Sequence, residues 1–396
     1  MPFSDSNRVA ISFVKEATWG TTPANKPLLT TLPITSEGFK SNINTVTSET
    51  IRSDRNVADI TVVGGGAEGD VGFELRNSDW NPFFEGALQS AFTTTTVTSA
   101  IASAYFSAAY IRADSSALDS VLAGQFLRVS DAVTAGNNGD YRVVSVSTIA
   151  AGTRKVTVVN ASSNASATFT GEMVTGSATV QGRTMRNGVT TTSYTIEKNF
   201  ADITAFHILR GMRIGTMALS FESQAVLTGT FGFTGKSQTA STTTIGSSVV
   251  TAATTNPVMN ASGNLERIWE GGQAVSGVFF QSLTLDLNNN PREQAVIGDN
   301  NLAGVGTGRC EITGSLSAYF ENNTMLNKFV AGTTTNFRFQ VTDSNGVSYI
   351  FTIPNARLNE GTVVAGGPNE DIMQEFTWGA FIDDSGLYAM QMDILD

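Results

Sequence analysis

The side chains that most often carry catalysis are scarce in this chain, which has a single histidine and a single cysteine. A nucleophilic triad needs a histidine beside a serine or cysteine. His207 lies instead in the apolar run Phe206-His-Ile-Leu209, which favours a short helix. The metalloprotease motif H-E-x-x-H is absent, and Cys310 alone can form neither an internal disulfide nor a cysteine metal cluster. We therefore predict that His207 serves packing or hydrogen bonding.

Residues 64–69, Gly-Gly-Gly-Ala-Glu-Gly, match the G-x-G-x-x-G pattern of dinucleotide-binding loops and follow an extended segment. Such a site requires a helix directly after the glycines, because the helix N-terminus meets the pyrophosphate. Here the continuation Asp70-Val-Gly-Phe-Glu-Leu75 alternates polar and apolar residues, as a strand does. The glycines therefore predict a loop or a hairpin tip.

Adjacent carboxylates occur at Glu370-Asp371 and Asp383-Asp384, but both pairs lie among Gly, Ser and Asn in turn-like sequence. Asp343-Ser-Asn-Gly346 likewise resembles a hairpin turn and lacks the remaining ligands of a calcium loop. A pair of glycosidase carboxylates is compatible with any β fold, yet no motif identifies one. The sequence predicts a protein that is not an enzyme and that holds no cofactor or metal.

The composition is that of a globular β protein. Hydrophobic residues make up 41% of the 396 residues and charged residues only 15%, with Thr, Ser, Gly and Asn in their place. These small polar residues suit strands that expose one face to water and the turns between them. The formal net charge of −11 argues against a protein that grips nucleic acid, but permits one that lets DNA pass. With no signal-peptide pattern and no apolar run of membrane-spanning length, we expect the protein to stay in the cytoplasm or leave by cell lysis.

The sequence divides into a core and an insertion. The insertion begins with a Thr run, is rich in Ala and Ser, and contains the hairpin-turn signal Asn137-Asn-Gly139. Its predicted strands are residues 125–130, 140–147 and 155–160. Insertions are tolerated at surface loops whose ends lie close together. We therefore predict a small β domain of residues 93–182, inserted into a core domain of residues 1–92 and 183–396.

The core is predicted to be mainly β with short flanking helices. Helices are expected near residues 78–91, with Ser78 or Asp79 as the N-cap, near 202–209 and near 323–330. Residues 36–63 are rich in β-branched side chains but poor in strong apolar ones, so they suit a long extended arm as well as a sheet strand. Further strands are predicted at residues 8–14, 70–75, 194–198, 337–342, 347–353, 374–382 and 387–394.

Two hairpins show alternation of apolar and polar residues. In the first, apolar positions include Met217, Leu219 and Phe221 on one strand and Phe231 and Phe233 on the next. A weaker copy follows at residues 283–287 and 311–320, and its Glu311-Ile-Thr-Gly-Ser-Leu phrase parallels residues 226–231, which indicates a faint duplication of a hairpin unit. The opposite, polar faces carry Thr216, Ser220, Glu222, Thr228, Thr230, Thr284, Asp286, Glu311, Thr313, Ser315 and Ser317.

A series of phrases along the core points to one family. They are Arg8-Val-Ala-Ile-Ser-Phe-Val-Lys-Glu-Ala-Thr-Trp-Gly-Thr-Thr-Pro23, Ser48-Glu-Thr-Ile-Arg-Ser-Asp-Arg55 with Asp59, Gly69-Asp-Val-Gly-Phe-Glu-Leu75, Asp79-Trp-Asn-Pro-Phe-Phe-Glu-Gly-Ala-Leu88, Thr195-Ile-Glu-Lys-Asn-Phe200, Leu227-Thr-Gly-Thr-Phe-Gly-Phe-Thr-Gly-Lys236, Ile353-Pro-Asn-Ala-Arg-Leu358 and Met373-Gln-Glu-Phe-Thr-Trp-Gly-Ala-Phe381. In this order they resemble the siphophage tail tube proteins, also called major tail proteins. The resemblance covers nearly the whole chain except about residues 93–182.

The resemblance implies a virion protein with a tail-tube-type β-sandwich or barrel subunit. Six subunits would form a ring in which hairpins join into one continuous barrel, and rings would stack into a tube. The expected partners are further copies of the chain, the tape-measure protein, the tail terminator and tail tip proteins, and genomic DNA that passes without specific binding. No membrane partner is expected, and the inserted domain is expected on the outside of the tube.

On this reading the eleven polar residues of the two hairpins line the lumen, where acidic side chains would repel phosphates and keep DNA mobile. The alternative is that these faces are the outer, solvated side of the sheets. Residues 36–66 and 238–276 form two long, turn-rich segments. We expect one or both of them to extend to an adjacent subunit or ring.

Two other classes of protein remain as alternatives. A bacterial surface or adhesin-like protein has a similar composition, but an export signal or wall anchor is expected there. A glycan- or receptor-binding role is possible for the insertion alone, which would then cluster exposed aromatic side chains. The aromatic residues available in that region are Phe92, Tyr105, Phe106, Tyr110, Phe126, Tyr141 and Phe169.

Overall fold

A computed structural model gives the fold of most of the chain. It describes residues 4–98, 105–113, 116–150, 153–173, 178–261, 265–270, 273–274, 279–365 and 367–396. The described part is mainly β, which confirms the predicted fold class. Its α-helices are α1 (Asn81–Leu88) and α2 (Thr324–Ala331).

Strands occur along the whole described part of the chain. Up to residue 98 they are β1 (Val9–Lys15), β2 (Leu29–Leu32), β3 (Ile34–Glu37), β4 (Lys40–Thr47), β5 (Ile60–Glu74) and β6 (Thr93–Thr98). Between residues 105 and 186 they are β7 (Tyr105–Ala108), β8 (Tyr110–Ala113), β9 (Phe126–Ser130), β10 (Gly139–Ala150), β11 (Thr153–Asn160), β12 (Phe169–Met173) and β13 (Thr179–Arg186). Up to residue 274 they are β14 (Tyr194–Phe200), β15 (Ala205–Glu222), β16 (Thr228–Gly235), β17 (Ser237–Ser241), β18 (Val250–Thr251), β19 (Leu265–Glu270) and β20 (Gln273–Ala274). The remaining strands are β21 (Phe280–Asn288), β22 (Arg292–Gln294), β23 (Gly304–Gly306), β24 (Glu311–Tyr319), β25 (Thr335–Thr342), β26 (Ser348–Val364), β27 (Met373–Phe381) and β28 (Gln391–Leu395).

One antiparallel sheet, here called the central sheet, organises the subunit. Its strands lie in the order β4, β5, β16, β15, β21, β24, β27 and β26, and β3 also pairs with β5. Both hairpins that the alternation predicted are therefore neighbours in one sheet. The prediction of a helix near 323–330 is also confirmed, by α2.

Strand β15 is 18 residues long and belongs to two sheets. Its first part, up to Arg210, pairs with β14 and β17, and its second part, from Arg213, pairs with β16. Gly211 lies between the two parts and adopts φ +69°, outside the extended geometry of either part. Glycine adopts this left-handed conformation without steric cost.

The helix predicted near residues 202–209 is wrong, because this segment forms a turn and then the start of β15. Ile208 and Leu209 are successive residues and both are buried, so both faces of the strand are covered there and the run lacks the alternation of a strand with one exposed face. His207 lies opposite Lys198 and packs its ring 5.0 Å from that of Phe200. A short apolar run of this kind cannot be assigned by periodicity alone.

The glycines of residues 64–69 do not form a hairpin tip, contrary to the prediction, because β5 continues through them. Gly64, Gly65 and Gly66 pair with β4, and a side chain on Gly65 would overlap the Asn42 carbonyl oxygen. Gly69 adopts φ +154° where the chain crosses Phe39. The glycines therefore permit close approach of two strands rather than a reversal of the chain.

Helix α1 packs its buried Phe83 and Phe84 into the main core, as the apolar pattern predicted. Phe83 and Phe84 contact Phe231 of the central sheet at ring distances of 5.6 and 5.5 Å. The helix is shorter than predicted, and its N-cap Trp80 makes no side-chain capping hydrogen bond. Asp79 instead accepts hydrogen bonds from the amide and hydroxyl of Thr254, at 3.0 and 2.9 Å.

The described part of the long segment 238–276 lies along its own subunit. Besides the Asp79 contact, Glu197 accepts hydrogen bonds from Thr244 and from the Ile245 amide, and β18 pairs with β2. Met259 is fully buried. These contacts leave residues 36–66 as the stronger candidate for a segment that reaches another subunit; residues 262–264, 271–272 and 275–278 lie outside the described part.

Residues 97–180 contribute a hydrophobic cluster separate from the main core. Strands β9, β10 and β11 are present as predicted, and β9 pairs with β10 next to the turn at Asn137. The region meets the rest of the chain through β13, which pairs with both β6 and β28. The division into an inserted domain and a core domain stays a prediction.

A buried carboxylate lies where these two regions meet. Asp393 of β28 is fully buried, accepts a hydrogen bond from Gln391 at 2.7 Å, and receives the Phe126 amide at 3.3 Å. Burial raises the pKa of Asp393 to about 7, because a charged carboxylate loses its hydration there. The folded chain therefore holds a proton on Asp393 at pH values where the unfolded chain has released it.

We expect this group to destabilise the fold as pH rises. Its contribution to the free energy of unfolding should be greatest below about pH 4 and fall by about 1.4 kcal/mol per unit until about pH 7. Asp393→Asn removes this titrating group. The free energy of unfolding of the variant, measured by urea denaturation, should therefore rise relative to that of the natural chain between pH 5 and pH 7. Asp131→Asn, at an exposed position, is the control; parallel curves for Asp393→Asn and the natural chain would contradict the assignment.

Candidate functional site

The register of β16, β15, β21 and β24 brings the eleven predicted polar residues to one face of the central sheet. Ser220 of β15 lies opposite Thr228 of β16 and Thr284 of β21. Directly opposed side chains of antiparallel strands point to the same face. The same face continues onto β24, where Asp286 lies opposite Thr313. We call this surface the polar face.

Hydroxyl groups tie neighbouring strands together across the polar face. The hydroxyl oxygens of Thr284 and Ser315 are 3.0 Å apart, and Thr284 Oγ1 also accepts the Ser315 amide at 2.9 Å. Ser220 donates to Glu222 at 3.2 Å. These short contacts fix the polar side chains of β21 and β24 and leave their remaining lone pairs to solvent.

The opposite face of the same strands is the wall of the main core. Met217, Leu219 and Phe221 alternate with the polar residues of β15 and are nearly fully buried. On β24, Gly314 leaves the room that the Trp378 ring of β27 occupies. Because one face of these strands is buried in the core, the other face points outward, away from the core.

The structure adds acidic residues that the sequence analysis did not assign to this surface. Asp70 lies opposite Gly232, and Glu74 lies opposite Thr228 on the same face. Glu375 lies opposite Ser317, and Glu360 lies opposite Thr377. The polar residues that line one shallow groove there are Ser282, Ser315, Ser317, Glu360, Thr362, Glu375 and Thr377. The alternation of residues 70–75 could have placed Asp70 and Glu74 on one face of β5. No sequence pattern indicated how β26 and β27 pair, so Glu360 and Glu375 could not be assigned.

The carboxylates of the polar face differ in their environments. Partial burial raises the pKa of Asp286, against the effect of a hydrogen bond from Thr284. The Arg309 side chain lowers the pKa of Glu311 by a hydrogen bond and forms an ion pair with it. Basic residues are present at the margin, where Lys40 pairs with Glu68 at 3.2 Å. The acidic side chains nevertheless predominate over the middle of the face.

This surface offers hydroxyls and carboxylates rather than a reactive centre. Among the described residues, no group of three or more His, Cys, Asp or Glu side chains is placed to hold a metal ion. Cys310, at the edge of the main core, is partly buried, and this burial raises the pKa of its thiol to about 11. The thiol is therefore protonated at neutral pH and a poor nucleophile.

A second exposed surface is the outer part of the β4–β5 hairpin, residues 43–63, here called the arm. Ile51 is 98% exposed, and Ile43 and Ile60 are 61% and 62% exposed. At the tip Arg52 donates two hydrogen bonds to Asp54, at 2.9 and 2.6 Å. The Arg52 side chain lowers the pKa of Asp54 to about 2. The arm therefore has a defined tip while several large apolar side chains contact water.

The family of the chain follows from its sequence. The family model of the phage tail tube protein matches residues 6–191 and residues 164–380, two overlapping stretches that together span residues 6–380. The chain belongs to the phage tail tube protein family. This tail tube protein has no match among the curated proteins. Membership places the chain among structural proteins of the phage tail.

Most of the aromatic side chains that the structure describes in residues 93–182 of this tail tube protein are internal, and the side chain of Tyr105 lies outside the described part. Phe106, Phe126, Tyr141 and Phe169 are buried, and Tyr141 packs 4.8 Å from Phe169. They do not form the exposed aromatic cluster that a glycan-binding surface would need. Neither helix in the described part of the chain is long and apolar enough to cross a membrane.

Proposed function

We propose that this tail tube protein assembles into hexameric rings that stack into the phage tail tube, with the polar face lining the lumen. The observation that carries the proposal is the polar face, where hydroxyls and carboxylates from several strands replace the apolar side chains of a packing surface. In the lumen it would first meet the tape-measure protein and later the DNA. Glu222 and Asp286 would repel phosphates, so DNA could pass without specific binding.

The edges of the central sheet support a ring. In the described part of the chain, β4 pairs only with β5, and residues 358–364 of β26 pair only with β27. Unpaired strand edges are templates for another chain, and a closed barrel removes them. Pairing of neighbouring subunits at these edges would give a continuous wall without exposed backbone groups.

The arm is the proposed contact between rings. An adjacent subunit would cover the exposed side chains of Ile43, Ile51 and Ile60. Removing these apolar side chains from water would stabilise the contact. Residues 93–182 would lie on the outside of the tube. Assembly would take place in the host cytoplasm. The tail terminator and tail tip proteins would lie at the two ends of the finished tube.

We expect the purified protein to form hollow rings or tubes at rising concentration in negative-stain electron microscopy. In virions of the phage that encodes it, an antibody against the chain should label the tail along its full length. Labelling restricted to the head or the tail tip, together with persistent monomers in solution, would contradict a tube subunit.

Reversing the charge of the polar face should slow DNA exit. Virions that carry Glu222→Lys, Asp286→Lys and Glu311→Lys should assemble, because these side chains lie away from the main core, but should eject DNA more slowly because lysines attract phosphates. The control carries the same charge change at Asp119, Asp131 and Asp384, which are exposed. Equal ejection kinetics of the two triple variants would place the polar face outside the lumen.

Removing the arm should block polymerisation and preserve the fold. Residues 46–61 can be replaced by Asn-Gly, which joins the paired Thr45 and Val62 through a two-residue hairpin turn. We expect an unchanged circular dichroism spectrum, and separate rings or monomers instead of tubes in electron microscopy. Ile51→Ser should weaken assembly in the same direction, whereas Val189→Ser, at a position 90% exposed, is the matched control. Tubes formed by the shortened protein would rule out the arm as a ring contact.

A further inference from the structure

A cleft lies between the 93–182 region and the rest of the subunit, and neither the polar face nor the arm includes it. Phe126, Arg142 and Asn164 of the 93–182 region line it together with Arg338 and Thr352 of the rest of the subunit. We call it the junction cleft. Because both regions supply its walls, a molecule bound there would contact both.

The junction cleft is cationic in an acidic protein. Arg142 of the 93–182 region and Arg338 of the rest of the subunit both line it, and none of the described residues that line it carries a carboxylate. Arg128, which is not among the residues that line the cleft, forms a bidentate pair with Asp140 at 2.7 and 3.0 Å. Two cations facing one cleft favour an anion between them.

Each of the two arginine side chains makes a hydrogen bond to a neutral group. Arg142 Nε donates to the side-chain oxygen of Asn164 at 3.3 Å, and Arg338 donates to the Ala161 carbonyl at 2.8 Å while lying over the Phe126 ring. Arg338 is only 6% exposed. Burial lowers the pKa of Arg142, which reflects the cost of keeping a charge away from water. An anion that paired with it would offset that cost.

The lining also provides a further polar group. The Thr352 hydroxyl is buried and makes no hydrogen bond among the described residues. A hydroxyl can donate to an anion, and the planar guanidinium matches a carboxylate or phosphate with two parallel donors. These chemistries together define a site for a small oxyanion.

We propose that the junction cleft binds a small free oxyanion, of phosphate or carboxylate type, between Arg142 and Arg338. The bound anion contacts both walls and therefore holds the 93–182 region against the rest of the subunit. This proposal is independent of the tube function, since it concerns a single folded chain.

The test is titration calorimetry of the full-length protein with sodium phosphate and with sodium acetate, each at constant ionic strength set by sodium chloride. We expect saturable binding of one of the two anions, and a rise in melting temperature with that anion over chloride alone. The stronger anion identifies the phosphate or the carboxylate class. Absence of saturable binding by both would overturn the proposal.

Variants locate the site. Arg142→Gln should weaken binding by about tenfold or more, because a hydrogen-bonded charge is lost. Arg142→Lys should weaken it less, and it serves as the test if Arg142→Gln does not fold. Arg154→Gln, which removes an arginine paired with Asp119 at 2.8 Å in the same region, should leave binding unchanged. An equal affinity of the natural chain and the two Arg142 variants would also overturn the proposal.

Discussion

The register between the strands of the central sheet is the constraint on which the rest of the subunit depends. Side chains alternate across a strand, so a slip by one residue would turn Met217, Leu219 and Phe221 out to solvent and bury their polar neighbours. The large aromatic side chains beneath the sheet make such a slip costly. Packing of α1 against Phe231 on the buried face therefore also holds the polar residues of the opposite face in place.

A local hydrogen-bond network around Glu16 fixes a part of the subunit outside the central sheet. Glu16 accepts hydrogen bonds from the Gly20 and Gly211 amides and from the hydroxyls of Ser193 and Thr195, at 2.7 to 2.9 Å. The nearby Trp19 donates to the Gly211 carbonyl at 3.0 Å. One carboxylate near the N-terminus therefore holds Gly211 of β15, which lies 195 residues further along the chain.

The sequence was most informative where one face of a strand is buried and the other is exposed. The alternation around residues 216–233 and 311–320 predicted both the strands and the polar face that they share. It could not predict the pairing partners of β5, β26 and β27, since pairing across long sequence separations leaves no periodic signal. Asp70, Glu74, Glu360 and Glu375 were missed for that reason.

Errors arose where both sides of a segment are covered or where glycines have an unusual role. The run that ends at Leu209 lost its alternation because the successive residues Ile208 and Leu209 are both buried, one on each face of β15. The glycines of β5 were interpreted as a chain reversal because glycine is typical of turns, whereas here it permits contact between strands. Asp79 has a side chain typical of a helix cap, yet it binds a distant loop.

The continuity of β15 has a mechanical consequence. Its first part is hydrogen-bonded to β14 and β17 and its second part to β16 and β21, so one covalent chain joins two sheets. A pulling force along this strand is shared among many ladder hydrogen bonds at once, because those bonds lie perpendicular to the strand. Separating the two sheets would thus require shearing whole ladders rather than peeling them bond by bond, and this gives the subunit stiffness along the direction of β15.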